Sequence, residues 1–252
     1  MQVQVLPFGI LKESLGPAAF PLELLEGATV ADLLLRLNAN DRLRGIAVSV
    51  NAEYARPGDV LREGDEVGLL PPVSGGRSSE GLDENDVTGL AWEGTRGRVP
   101  VVVIELTRER INAERLIQQA RDAEDGAVVV FDGMVRNNSR GRRTLHLDYE
   151  AYEEMAVAKL GEIAEEARER FGVRYVSIAH RLGRLEIGET SVLIVVASAH
   201  RAQAYEASRF LIDTLKKTVP IWKKETFADG VVWADGEPFP EGVGIAEAGQ
   251  GA

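Results

Sequence analysis

The chain has 252 residues, a formal net charge of -11 and no cysteine. That length suits two cores better than one, at roughly 100–200 residues per domain. The missing cysteine excludes disulfides, thiolate metal sites and cysteine nucleophiles, and the negative charge opposes general binding to nucleic acid. Hydrophobic residues at 44% and charged residues at 27% suit a folded chain. The longest markedly apolar stretch, residues 192–199, is far shorter than the ~20 residues of a membrane helix, and no basic segment followed by an apolar run opens the chain. A cytoplasmic location is expected, with neither membrane nor nucleic acid as partner.

Residues 1–6 alternate as a strand, with Val3 and Val5 on one face and Gln2 and Gln4 on the other. A short amphipathic stretch over residues 11–15 ends at Gly16-Pro17. Thr29 then caps a helix whose third residue is Asp32 and whose apolar face is Val30, Leu33, Leu34 and Leu37. Ile46, Val48 and Val50 mark another strand, and residues 66–70 a last one after the Gly64-Asp65 turn. Residues 77–98 are polar, glycine-containing and aperiodic, which marks a linker. Its Leu90-Ala91-Trp92 is the one apolar point, suited to docking on a neighbouring surface.

Beyond it, strands are expected over 99–106, 127–131, 145–149, 175–179 and 191–197. A helix capped by Asn112 carries Leu116, Ile117 and Ala120. A longer one has Val157, Leu160, Ala164, Ala167 and Phe171 on its apolar face and stops at Gly172. A last helix runs from Ala202 to about Lys217 and is closed by Pro220. The segment 231–233 lies between two Asp-Gly turns. The loop 137–143 holds Arg140, Arg142 and Arg143, which reads as a solvated loop rather than a ligand set. His146 and His180 fall on strands as structural residues, and Trp222 as packing. Strands and helices mix without strict alternation, so the class is α+β.

The sharpest motif is Gly64-Asp65-Glu66-Val67 followed by Leu70-Pro71-Pro72-Val73-Ser74-Gly75-Gly76. Two prolines stiffen the exit from a strand, and two glycines without Cβ atoms give a slender end able to enter a narrow tunnel. This resembles the C-terminus of the small subunit of molybdopterin synthase, a ubiquitin-like β-grasp sulfur carrier, over residues 1–76. A second block, residues 99–242, carries Phe131-Asp132-Gly133-Met134-Val135-Arg136-Asn137, then Ser198-Ala199-His200-Arg201, then Leu215-Lys216-Lys217-Thr218-Val219-Pro220-Ile221-Trp222-Lys223-Lys224-Glu225. Three ordered motifs make it similar to the large, catalytic subunit of the same family. Residues 243–252 are left as a flexible tail.

The resemblance implies an α/β-hammerhead catalytic domain that forms a homodimer and converts cyclic pyranopterin monophosphate into the dithiolene molybdopterin. Sulfur would arrive as a C-terminal thiocarboxylate on Gly76, made by a separate adenylating enzyme and a sulfur donor, with no tightly bound metal or redox cofactor. Without cysteine, sulfur cannot ride on a persulfide of this chain. The substrate's cyclic phosphate calls for cations, and Arg136, His200 and Arg201 supply them, with the main chain of Met134 and Val135 alongside. Lys216 is assigned to the reacting centre and Lys223 is expected near it across the reversal at Pro220. Lys216 can act as acid or base, or can stabilise a developing anion. Lys223, Lys224 and Glu225 match family positions that contact substrate. Without the resemblance, Lys216 and Lys217 would read as cations facing a helix dipole. The rival reading is a carrier or protein-conjugation module fused to a noncatalytic pterin- or phosphate-binding platform.

Overall fold

The computed structural model describes residues 1–37, 45–73 and 101–234. The expected linker, with Leu90-Ala91-Trp92, the Gly75-Gly76 end and the C-terminal tail lie outside the described residues. Among the described residues no helix is long and apolar enough to cross a membrane.

The N-terminal domain comprises β1 (Gln2–Pro7), α1 (Leu11–Leu15), β2 (Phe20–Glu23), α2 (Val30–Arg36), β3 (Ala47–Val50), β4 (Glu53–Ala55) and β5 (Glu66–Leu70). Its sheet has the order β2-β1-β5-β3-β4, with β1 and β5 parallel at its centre. The Thr29 side chain accepts from the Asp32 backbone while Asp32 accepts from the Thr29 backbone, the reciprocal cap its spacing predicts. β4 is an element the sequence reading omitted. Asn51 and Ala52 both take positive φ, 51° and 65°, in a two-residue turn that pairs Val50 with Glu53. Val3, Val5, Val30, Leu33, Val48, Val67 and Leu69 form the core on one face of the sheet. Phe8, Ala47 and Leu70 are buried instead against the second domain.

The C-terminal domain comprises β6 (Val102–Thr107), α3 (Ala113–Ala120), β7 (Ala127–Met134), β8 (Asn138–Ser139), β9 (Arg142–Ala151), α4 (Glu153–Phe171), β10 (Tyr175–Arg181), β11 (Gly183–Glu186), β12 (Thr190–Ser198), α5 (Arg201–Thr218), β13 (Ile221–Phe227) and β14 (Gly230–Trp233). One sheet has the order β6-β10-β12-β7, and a second runs β11-β9-β13-β14 with β8 against β9. Both faces of β12 are covered, so its run is apolar at every step. Val192, Ile194 and Val196 pack with α4 and α5, and Leu193, Val195 and Ala197 pack with α3.

Two expectations are corrected. Val157 is 44% exposed, and Met155, Ala156 and Ile163 join Leu160, Ala164 and Ala167 on the buried face of α4. The arginine loop is largely a β-hairpin. Ser139 pairs with Arg142 across Arg140 and Gly141, whose φ values of 52° and 77° make the tight turn that matches strand twist.

Candidate active site at the seam between the domains

The exit of β5 is held by the second domain. Trp222 Nε1 donates to Pro71 O at 2.9 Å, and Phe8 stacks on Tyr152 and Trp222 with centroids 4.8 and 5.3 Å apart. Val73, Leu70 and Met155 complete this apolar seam. Gly9 turns the chain there with φ +52°, and a Cβ at that position would lie 3.0 Å from Pro71 Cγ and 3.2 Å from Trp222 Cγ. Polar contacts rim the seam. Lys12 pairs with Glu150 at 2.5 Å, Lys159 with Glu53 at 3.1 Å, Tyr54 Oη donates to Thr218 O at 2.7 Å, and Tyr152 donates to Glu66. Glu13 accepts from Trp233 Nε1 and Lys224 Nζ, and these two donors hold its carboxyl below the usual range.

Lys216 is half-buried in the last turn of α5, less open than its place at a helix end suggests, and Lys223 is half-buried on β13 beyond Pro220. Lys223 Nζ lies 3.0 Å from Glu225 Oε1, whose side chain is only 8% exposed. These two share one face of β13, because side chains repeat every second residue along a strand. Lys224 points to the other face, where it meets Glu13 and lies over the Trp233 ring. Its visible partners are therefore those of the seam.

Arg136 is exposed just after β7. Val135 is buried, with its N–H bonded to Glu189 O and its carbonyl to Gly188 N–H, so its main chain is already engaged. Met134 is 60% exposed at the end of β7 opposite Thr190. Beside Arg136 lies an open cleft of about 400 Å³ lined by Asn137, Asn138, Gly141, Arg143, Thr144 and Ile187, among others. Two of the hairpin arginines therefore divide. Arg143 lines the cleft, whereas Arg142 pairs with Asp229 at 2.8 Å and lies 3.9 Å over the Phe227 ring.

His200 and Arg201 open α5, both exposed. The helix has neither a side-chain cap nor an acidic residue in its first turn, so its N–H groups and partial positive charge remain available to an anion. These two residues do not join the lysines within one chain. Arg201 and Lys216 stand at opposite ends of a continuous helix, about 22 Å apart at 1.5 Å per residue. Antiparallel pairing of Met134 with Thr190 and of Ala127 with Ser198 likewise sets Arg136 and His200 at opposite ends of the β7-β12 ladder.

Comparison with known proteins accounts for both halves. Residues 106–218 match the MoaE protein family and residues 5–76 the ThiS family. The molybdopterin synthase catalytic subunit of Bacillus subtilis is 46% identical over 129 residues, 51% of this chain and 82% of that protein. Its counterpart from Halalkalibacterium halodurans is 43% identical, over 54% of this chain and 90% of that protein. A crystal structure of molybdopterin synthase from Staphylococcus aureus superposes with a TM-score of 0.50 at 43% identity, covering 51% of this chain and 94% of that one. The chain belongs to the molybdopterin synthase catalytic-subunit family. Here that catalytic domain is fused behind a ThiS-family sulfur-carrier domain, and the seam is where carrier meets synthase.

The residues missing from the sequence reading are those of the seam: Tyr54, Glu13 and Tyr152. Each is a lone polar or aromatic residue whose partner is distant in the chain, and no local spacing marks it. Arg143 and Thr144 had a faint signal in the Arg-Gly turn that folds the hairpin over the cleft.

Proposed function

We propose that the chain makes molybdopterin by passing sulfur from a Gly76 thiocarboxylate to cyclic pyranopterin monophosphate at Lys216 and Lys223. The observation that carries this reading is the seating of the β5 exit. Pro71 is hydrogen-bonded to Trp222, the residue before Lys223, and Val73 is buried in the same seam. Gly76 follows three residues later, a reach of at most about 10 Å. The cations beside and lining the open cleft, Arg136 and Arg143, suit the cyclic phosphate.

Sulfur attacks a side-chain carbon of the pterin and displaces the oxygen substituent it carries, which leaves with a proton, so a carbon–sulfur bond replaces a carbon–oxygen bond while Gly76 is still attached as a thioester. Water then cleaves the acyl–sulfur bond, leaving sulfur on the pterin and a free Gly76 carboxylate. A second charged carrier supplies the other sulfur. Lys216 stabilises the developing anion or moves a proton. His200 and Arg201 complete the phosphate site from a second copy of the chain, because the length of α5 keeps them from their own Lys216.

As encoded, Gly76 is joined to Arg77 by an amide, whereas adenylation and thiolation need a free carboxylate. The chain is therefore cut after Gly76, within a polar segment of the kind where nicking concentrates, and an adenylating enzyme and sulfur donor then charge the carrier. The test combines intact-mass measurement on protein from its host with reconstitution on cyclic pyranopterin monophosphate. A fragment ending at Gly76, and dithiolene formation lost in Gly76→Ala, are expected. No dithiolene from thiocarboxylated protein would overturn the enzyme reading, and an uncut chain that works with no separate carrier would overturn the cut.

A further inference from the structure

The two lysines of the proposed reacting centre lie on one short stretch of chain, from the last turn of α5 to the start of β13. The carrier domain grips that stretch twice. The last carbonyls of a helix have no partner within it. Val219 N–H takes Leu215 O at 3.1 Å, and Thr218 O is taken across the seam by the Tyr54 hydroxyl of β4 at 2.7 Å. Burial pushes the Tyr54 hydroxyl up from its ordinary value, so it stays protonated as a donor. The second grip is Trp222 Nε1 on Pro71 O, one residue before Lys223.

We propose that Tyr54 is a positioning residue for sulfur transfer: it caps α5 from the carrier side and holds the turn bearing Lys216 in place when the carrier is docked. The inference rests on the assignment of Lys216 to the reacting centre. The carrier then acts as part of the catalyst as well as the source of sulfur. Without it Thr218 O turns to water, and the last turn of α5 frays as helix ends do. The lysine is thus presented chiefly when a tail is there to use it. Docking of β4 has anchors besides the hydroxyl: Glu53 pairs with Lys159, whose ammonium also lies 5.7 Å from the Tyr54 ring centroid. Tyr54→Phe therefore removes the cap and keeps the dock.

The test uses the full chain with and without Tyr54→Phe, cut after Gly76 with both parts retained and charged by the adenylating enzyme and sulfur donor. Single-turnover transfer to cyclic pyranopterin monophosphate is followed alongside amide hydrogen exchange at residues 215–219. The expected result is a rate about tenfold lower and correspondingly faster exchange at those amides, with carrier and catalytic parts still co-eluting. Unchanged exchange in Tyr54→Phe overturns the inference, whatever the rate. A normal transfer rate overturns it too, leaving the proposed function intact wherever the wild-type chain yields dithiolene. Separation of the two parts overturns it by making Tyr54 a docking contact only. If the wild-type chain itself forms no dithiolene, the proposed function fails, and the cap at Thr218 is judged by exchange alone.

Discussion

Lys216 is half-buried in the last turn of α5, a helical position that alanine also favours, so its truncation separates chemistry from folding. Lys216→Ala is expected to lower single-turnover transfer by about 100-fold or more while the unfolding midpoint stays nearly unchanged. Lys223→Ala should lower transfer less. It also leaves Glu225 buried without its ammonium partner, so some stability is lost with it. Calorimetric titration should show Arg136→Ala and Arg201→Ala weakening substrate binding, whereas Arg142→Ala has little effect, since Arg142 is spent on Asp229 and Phe227. Equal losses for all three would mean diffuse attraction rather than a formed site.

His180 is a residue for which pH gives the readout. Burial lowers its pKa to about 4, its Nδ1 lies 3.0 Å from Arg181 O, and the Tyr149 ring meets it edge-on. The unfolded chain binds this proton near pH 6.5 and the folded chain only near 4. Between those values the unfolded state holds more protons, and stability rises with pH. The contribution is complete above about 6.5 and is lost as pH falls toward 4, on the order of 3 kcal/mol in all. Denaturant unfolding at several pH values should show that slope, and His180→Leu should flatten it.

At the scale of elements, the strongest case is the turn at Gly9, which joins β1 to α1 under Pro71 and Trp222. Gly9→Ala meets both the positive φ and the missing space, at a cost of about 1–2 kcal/mol from the backbone alone. Because the crowding is across the seam, the loss should appear as weaker association of carrier and catalytic parts, measurable by titrating one against the other after cleavage. Normal association would show that the seam shifts to accept the methyl group.

The same scale shows what could be read from the chain beforehand. Cap and period lie within a few residues, so the Thr29–Asp32 box, the Asn112 cap and the left-handed Gly172 stop were all legible. β4 was not, because a three-residue strand after an Asn-Ala turn has too few positions to show a period. Lys223, Lys224 and Glu225 could be read as a motif but not sorted. Only the strand sends Lys224 toward Glu13 and sets Lys223 beside Glu225. The seam residues were illegible for a related reason: Tyr54 meets a carbonyl 164 residues further along the chain.

For the whole molecule, the governing feature is the straight run of α5, with Arg201 at one end and Lys216 at the other. If each phosphate site borrows the first from a neighbouring copy, two kinds of crippled chain are not equally crippled together. An Arg201→Ala chain still offers its lysine, and a Lys216→Ala chain still offers its arginine. Refolded together in equal amounts, half of the pairs are mixed, and each mixed pair owns one site with both residues intact and one with neither. Activity should return to about a quarter of the wild-type level, measured at a substrate concentration too low for either variant alone to turn over. A cell carrying both defective genes would then make cofactor where a cell carrying one could not, and failure of the mixture to recover would mean that each copy works alone.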